Sequence, residues 1–389
     1  MIKTMVFTGL FLLPAAFCAA QPDAQFTSRV IESAPAPQGM RGTPLNLPDI
    51  SVIGVFGGYV SDDKSDDARN KLEFDEVETA FQGYIYPKMR ADVFLALHKH
   101  DDGYEAEICE AKVSFLELLP GLSAQAGKIH VDIGRLNKSH SHHRPMADQP
   151  PVITNFFGEH GLVGQGVALS YLLPLPFYAE LQGGAWTVAG HHHHIDDENT
   201  AEILAVDGST VTVPVIVEST EFGVADKTYT GRLLASFVPG PRTELLFGLN
   251  ALKGRGSHHD HHRDDVKISG ADFTLKYWPS SYVRWTFQNE WFQLDRRTAS
   301  AHMIRDGFYS LLNYRWSKYW DAGVRADYSE NALPVVSRER VYSAILTRHL
   351  TETTHARLQY RHKNVDGDKA NEGWVQLSFG IGPHSHELE

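Results

Sequence analysis

From about residue 50 onward, apolar and polar side chains alternate with a period of two. Val283, Trp285 and Phe287 share one side of a segment, and Arg284, Thr286 and Gln288 share the other. Ala356, Leu358 and Tyr360 alternate with Arg357, Gln359 and Arg361. Leu245, Phe247, Leu249 and Ala251 form one face of the segment starting at Thr243, and Val375, Leu377, Phe379 and Ile381 one face of the last. That period belongs to β-strands. It predicts sixteen, near 50–60, 72–83, 89–99, 104–117, 122–134, 165–173, 177–189, 228–238, 242–253, 266–278, 282–294, 303–316, 319–329, 338–349, 354–363 and 373–381.

A soluble sandwich alternates in the same way, so the connections must decide. Every second gap is short and turn-like: Tyr86-Pro87-Lys88, Leu119-Pro120-Gly121, Pro174-Leu175-Pro176, Pro239-Gly240-Pro241, Pro279-Ser280, Ser317-Lys318 and Thr351-Glu352. The gaps between them are mostly longer and polar: 61–71, 135–164, 190–227, 254–265, 295–302, 330–337 and 364–372, with a short exception at Asp101-Asp102-Gly103. Short turns at one end and long loops at the other define a transmembrane antiparallel β-barrel, with periplasmic turns and extracellular loops. Aromatic residues near strand ends, such as Tyr277-Trp278, Tyr314, Trp316, Tyr319 and Trp320, fit an interfacial girdle. Thr210–Val215 reads as a short hairpin beyond the membrane. If it spans instead, the count rises to eighteen.

The ends fix the compartment. Residues 1–20 have a positive start at Lys3, an apolar stretch from Thr4 to Phe17 and the small-residue exit Cys18-Ala19-Ala20, as in a secretory signal peptide. Residues 21–48, rich in Pro and Gly, read as an irregular periplasmic lead-in. The barrel is expected over 49–382, and 383–389 is a polar tail. Cleavage after Ala20 leaves one cysteine, Cys109, so no disulfide framework forms within the chain. No later stretch reaches the ~20 apolar residues of a membrane helix. The net charge is −12, and losing Lys3 makes it −13; nucleic acid is therefore an unsuitable partner. Expected partners are outer-membrane lipid and divalent metal ions, with homo-oligomerisation left open.

Residues 127–186 carry a specific pattern: Gly127-Lys128-Ile129, Gly134-Arg135-Leu136-Asn137-Lys138-Ser139-His140-Ser141-His142, Ala147-Asp148-Gln149-Pro150, Gly158-Glu159-His160-Gly161-Leu162, and Gly166-Val167-Ala168-Leu169-Ser170-Tyr171-Leu172-Leu173-Pro174-Leu175-Pro176 with Glu180. This resembles the zinc-regulated outer-membrane protein family, which is distantly similar to phosphate-selective porins. Pro48-Asp49-Ile50-Ser51 and Gly382-Pro383-His384-Ser385-His386 match it as well. The resemblance implies a barrel in the bacterial outer membrane and a link to zinc, without established ligand residues. Arg135, Asn137, His140, His142 and Asp148 match the family residue for residue. One departure is the polar tail after Phe379, where such chains end close to an aromatic residue.

Three histidine runs hold eleven of the 21 histidines: His140, His142 and His143; His191, His192, His193 and His194; and His258, His259, His261 and His262. All three fall in the long connections. Imidazole is the commonest protein ligand for Zn2+, Cu2+ and Ni2+, and weak exchangeable sites suit a conduit. The expectation is a porin-like channel for zinc or similar ions, with metal captured at these histidines. The alternatives are an anion-selective or general porin with inert His loops, for which Arg284, Arg357 and Arg361 speak, and a barrel that only anchors a metal-binding or adhesion surface. For His140, His142 and His143 a structural role on an inward-folded loop weighs as much as a metal role. His98, His130, His302, His355 and His362 read as lumen or interface residues. No spacing marks a nucleophile–base pair, so no enzyme and no catalytic residue is expected. No cofactor is required, Zn2+ entering only as the ion bound or carried.

Overall fold

A computed structural model describes residues 48–66, 68–100, 103–188, 200–204, 210–214, 222–256, 264–298 and 301–383. Eighteen strands follow in chain order: β1 (Asp49–Ser61), β2 (Lys71–Tyr86), β3 (Met89–His100), β4 (Gly103–Leu119), β5 (Leu122–His130), β6 (Val163–Leu172), β7 (Tyr178–Val188), β8 (Thr200–Leu204), β9 (Thr210–Pro214), β10 (Val224–Gly240), β11 (Thr243–Gly256), β12 (Asp264–Tyr277), β13 (Arg284–Arg297), β14 (His302–Arg315), β15 (Trp320–Glu330), β16 (Arg338–His349), β17 (His355–Val365) and β18 (Asp368–Ile381). Sixteen of them close into one antiparallel barrel, β1 pairing with both β2 and β18. The strands β8 and β9 form a separate two-stranded sheet. The expected hairpin near Thr210 is therefore present, and the barrel stays at sixteen.

Closure leaves no open edge, so every strand's backbone groups can pair within the sheet. The alternation then sorts side chains between two solvents. On β17, Leu358 and Tyr360 face outward while Arg357 and Gln359 are buried. On β11, Phe247 and Leu249 are exposed and Asn250 is buried. An apolar exterior over a polar interior inverts the soluble pattern and fits a hydrocarbon surround. A sandwich would bury the apolar face, so the ambiguity left by period two is resolved.

Most strand ends lie within a few residues of the sequence expectation, and two differ by more. The gap expected over 364–372 contracts to the two residues Asp366-Gly367, because both adopt positive φ (51° and 112°) and close a tight hairpin between β17 and β18. The strand expected over 122–134 ends at His130. Residues 131–162 leave the wall there and turn into the barrel, where Val131, Ile133, Leu136, Met146, Val152, Ile153, Phe156, Phe157 and Leu162 are buried. They pack on inward-facing Phe292, Leu294, Tyr309, Leu311 and Ile345. One sector of the interior is thus an apolar core rather than a wetted wall. A helix, α1 (Pro151–Phe157), forms part of that plug. Pro151 at its first turn has no N–H to leave unsatisfied, and Gly158, at φ 95°, ends it.

Candidate metal centre at the docked loop

The inward loop is held by polar anchors that are the motif residues of the sequence. Asn137, fully buried, donates from Nδ2 to Val131 O (2.7 Å) and Leu162 O (3.0 Å) and accepts from Leu162 N (2.6 Å). It pinches the neck of the loop shut. Beyond it, Glu290 on β13 accepts from the backbone N–H groups of Arg135 (2.8 Å) and Leu136 (2.9 Å) and from the Tyr309 hydroxyl. Gly134 precedes this turn at φ 67°, where a Cβ would overlap Glu290 and Phe292. On the far side, Asp148 accepts from Arg325 Nη1 and Nη2 (2.9 and 2.7 Å) and Arg361 Nη1 (2.8 Å), with Gln359 also bonded to it. Burial opposes the charged carboxylate of Asp148, but Arg325 and Arg361 outweigh it and hold its pKa well below the usual carboxylate range. Arg357 donates to the carbonyls of Met146 (3.1 Å) and Arg144 (2.8 Å). The inward arginines 325, 357 and 361 are thus committed to loop residues.

The segment Ser139–His143 lies between these anchors and meets the opposite wall, formed by β2, β4 and β5. Glu76 and Glu78 are two apart on β2 and therefore project from the same face. Both are buried. His140 Nδ1 lies 2.7 Å from Glu78 Oε2, and its Nε2 lies 3.7 Å from Glu110 Oε2. Ser141 Oγ donates to Glu76. His142 Nε2 is 4.0 Å from Glu78 Oε1. The backbone N–H of His130, at the end of β5, donates to Glu110 Oε1 (2.7 Å), and its ring sits 5.3 Å from that of His140.

Ligand-type atoms of Glu76, Glu78 and His140 all lie within 4.8 Å of one another. Donors around a tetrahedral Zn2+, with bonds of 2.0–2.2 Å, stand roughly 3.4 Å apart, so a small inward rotation of these side chains would complete three corners. Glu78 is 1% exposed, and beyond its ion pair with His140 neither oxygen has a hydrogen-bond partner among the described residues. An ionised carboxylate that buried is costly unless a cation neutralises it. Burial by itself would lower the His140 pKa; Glu78 and Glu110 reverse this and raise it to about 10, so without metal an imidazolium supplies one positive charge among three carboxylates, and a cation bound there would take over that charge as the ring proton leaves to water. Lys112 Nζ, 3.3 Å from Glu110, supplies another.

The expected metal histidines therefore divide. His140 and His142 are buried at the wall, inside the barrel rather than on an outer loop surface. His143 is exposed, with its ring 4.4 Å from that of His142. His191–His194 and His258–His262 lie outside the described residues. Sequence reasoning missed Glu76, Glu78 and Glu110. Their signal was the acidic i, i+2 pair on a strand, which by itself looks like ordinary lumen polarity.

No protein-family model matches the chain. A protein of Aquifex aeolicus (strain VF5), described as uncharacterized, is 27% identical over 392 residues, spanning 87% of this chain and 79% of that protein. Among solved structures, the loop L8 deletion mutant of OmpT, an outer membrane protein of Vibrio cholerae, superposes with a TM-score of 0.53 at 8% identity, covering 86% of this chain and 98% of that one. The in-vitro folded trimer form of OmpT gives 0.51 at 7% identity, covering 86% and 100%. At such identities the likeness is one of fold: the chain is a closed sixteen-stranded antiparallel barrel like those of these outer-membrane proteins.

Proposed function

We propose that this chain is a porin-like channel of the bacterial outer membrane that admits divalent metal ions, zinc foremost, and binds them in passage at Glu76, Glu78 and His140. The observation that carries this reading is the mutual approach of those three buried ligand groups within 4.8 Å. Mixed carboxylate and imidazole donors suit Zn2+ and related first-row ions. The histidine runs at 191–194 and 258–262 serve, in this reading, as weak capture sites along the entry path, and His142 and His143 extend the donor set. The resemblance to zinc-regulated outer-membrane proteins points the same way. Anion selectivity is less favoured, because Arg325, Arg357 and Arg361 spend their donors on the loop. Assembly into trimers, the form described for one OmpT structure, is part of the proposal and is checked by the mass of the detergent-extracted protein.

The test is Zn2+ entry into proteoliposomes containing a zinc-sensitive dye. Wild-type protein should give saturable flux, and Glu78→Gln with His140→Asn should lower its apparent affinity at least tenfold. Flux that is linear in Zn2+ and unchanged in the double variant overturns the metal reading and leaves a general porin. A barrel with no conductance in planar bilayers favours a surface anchor instead.

A further inference from the structure

On the outer face of the barrel, strands β16, β17 and β18 change character toward their loop ends. Leu346 pairs with Leu358 and Leu358 with Val375, so the three form one lateral row, exposed on the outside. Tyr342 and Tyr360, also exposed, follow toward the loops. Beyond them comes Arg340, which pairs with Tyr328 on one side and Asn364 on the other, and Asn364 pairs in turn with Lys369. Cross-strand partners share a face, and the period of two puts Arg340 on the side of Tyr342. Arg338, Arg340, Asn364, Asp366 and Gly367 line one open cleft of about 270 Å³ there. Glu330 draws on the Arg338 guanidinium at 3.3 Å, and Asp366 accepts the Arg338 backbone N–H at 3.2 Å. Arg340 and Lys369 are exposed, and among the described residues neither side chain has an ion-pair or hydrogen-bond partner. The next outward cation on β16 is Arg348, eight positions on, with its guanidinium 5.1 Å from the centre of the Trp320 ring. At ~3.4 Å per residue and a strand tilt of about 40°, Arg340 and Arg348 stand roughly 21 Å apart along the membrane normal, close to the ~25 Å apolar band of such barrels. The cleft therefore lies at the level of the outer-leaflet headgroups.

We propose that Arg340 and Lys369, with Arg338 beside them, bind the phosphate groups of an anionic saccharide lipid of the outer leaflet, whose acyl chains lie along Tyr342, Tyr360, Leu358 and Val375. The site depends on the barrel's place in the outer membrane and not on what the lumen carries. Charge complementarity selects the occupant: two cations without protein partners stand directly above an apolar face, and a phosphorylated lipid is anionic at the same level. A guanidinium meets phosphate oxygens with a planar fork of donors, and an ammonium adds a point charge. The long stems of Arg340 and Lys369 can lie on the apolar surface while their charged ends reach the headgroups. Asp366 also lines the cleft and repels an anion, and Glu330 draws on Arg338, so Arg340 and Lys369 carry the contact. Free phosphate would find the same cations but gain nothing from the tyrosines and leucines below them; the lipid gains both.

The probe is a purified glucosamine-disaccharide lipid carrying phosphates, compared with its dephosphorylated form. The full chain in detergent is titrated with each, bound lipid is counted by native mass spectrometry, and barrel folding is checked by heat-modifiable mobility. Wild-type protein should retain the phosphorylated lipid and bind the dephosphorylated one at least tenfold more weakly. Arg340→Ala with Lys369→Ala should weaken the phosphorylated lipid at least tenfold and abolish the preference. Arg348→Ala, at the other end of the same strand, should leave binding unchanged, and millimolar inorganic phosphate should not displace the lipid. Equal binding of the two lipid forms, equal binding by wild type and double variant, or loss of binding in Arg348→Ala overturns the proposal. Displacement by inorganic phosphate also overturns it and leaves a free-anion site. Glu78→Gln should not alter lipid binding, so failure of the metal path and failure of this site read separately.

Discussion

Asp148 of the inward loop is gripped by both terminal nitrogens of Arg325 on β15, at 2.9 and 2.7 Å, across 177 positions of sequence. Paired forks of this kind fix direction as well as distance. Removing Asp148 strips charged hydrogen bonds from both guanidinium groups, leaving Arg325 with Asp327 and Arg361 with Glu372, at a cost of about 1.5–3 kcal/mol for each bond lost. Asp148→Ala should therefore undock the loop while the hydrogen-bonded barrel survives. Limited proteolysis should then cut within 131–162, and single-channel conductance should rise. A variant with wild-type conductance and no new cleavage would show that the apolar plug holds the loop by itself.

Acid should release this clasp late. The folded pKa of Asp148 lies below its unfolded value, so its contribution is fully present above ~4, the ordinary Asp range, and is lost as pH falls through the depressed folded value. The Asp148 clasp itself should hold from pH 7 to 4 and release only in stronger acid, read as loop cleavage by an acid-active protease. In Arg361→Gln, with one of the two guanidinium groups gone, that acid release should move to higher pH. An acid midpoint unmoved by Arg361→Gln contradicts the assignment.

Glu290 offers a second anchor to test. Glu290→Ala strips the partner from two backbone N–H groups, at a cost of about 1–3 kcal/mol each. Amide exchange at Arg135 and Leu136 should speed by at least tenfold. Gly134→Ala should act in the same direction, since its Cβ meets Glu290 at a φ that favours glycine. Unchanged exchange in both variants counts against the docked turn.

The outer face is checked by charge. Leu249 is 60% exposed on the apolar side of β11. Leu249→Arg should destabilise the barrel in a bilayer by about 2–4 kcal/mol if it lies near the midplane. Equal denaturant midpoints for wild type and variant would place this face elsewhere than in lipid.

Much of the fold was legible because a barrel wall imposes one simple rule on each strand. The strand expected over 338–349 is Arg338–His349 in the structure, and its neighbours differ by a few residues. The contraction at Asp366-Gly367 was also readable, since Asp-Gly is a strong two-residue hairpin signal; the polar flanks of Asn364 and Lys369 concealed it. The inward turn after His130 was harder. Nothing in the local pattern says that Val131 and Ile133 leave a wall they could have continued; Asn137 and Leu162 decide it from farther along the chain. The metal centre divides the same way. His140 and His142 stood out as part of a run, but the carboxylates that meet them are on β2 and β4. Only closure of the barrel brings those strands to the loop.

The anchors of residues 131–162 come from around the whole wall: Glu76 on β2, Asn250 on β11, Glu290 on β13, Arg325 on β15 and Gln359 on β17. Most are made by strands that follow the loop in the chain, some more than 200 residues later. Contacts so distant in sequence form late. The loop's full set of anchors can therefore be complete only after β17 has joined the wall, so seating of the plug is coupled to closure of the barrel.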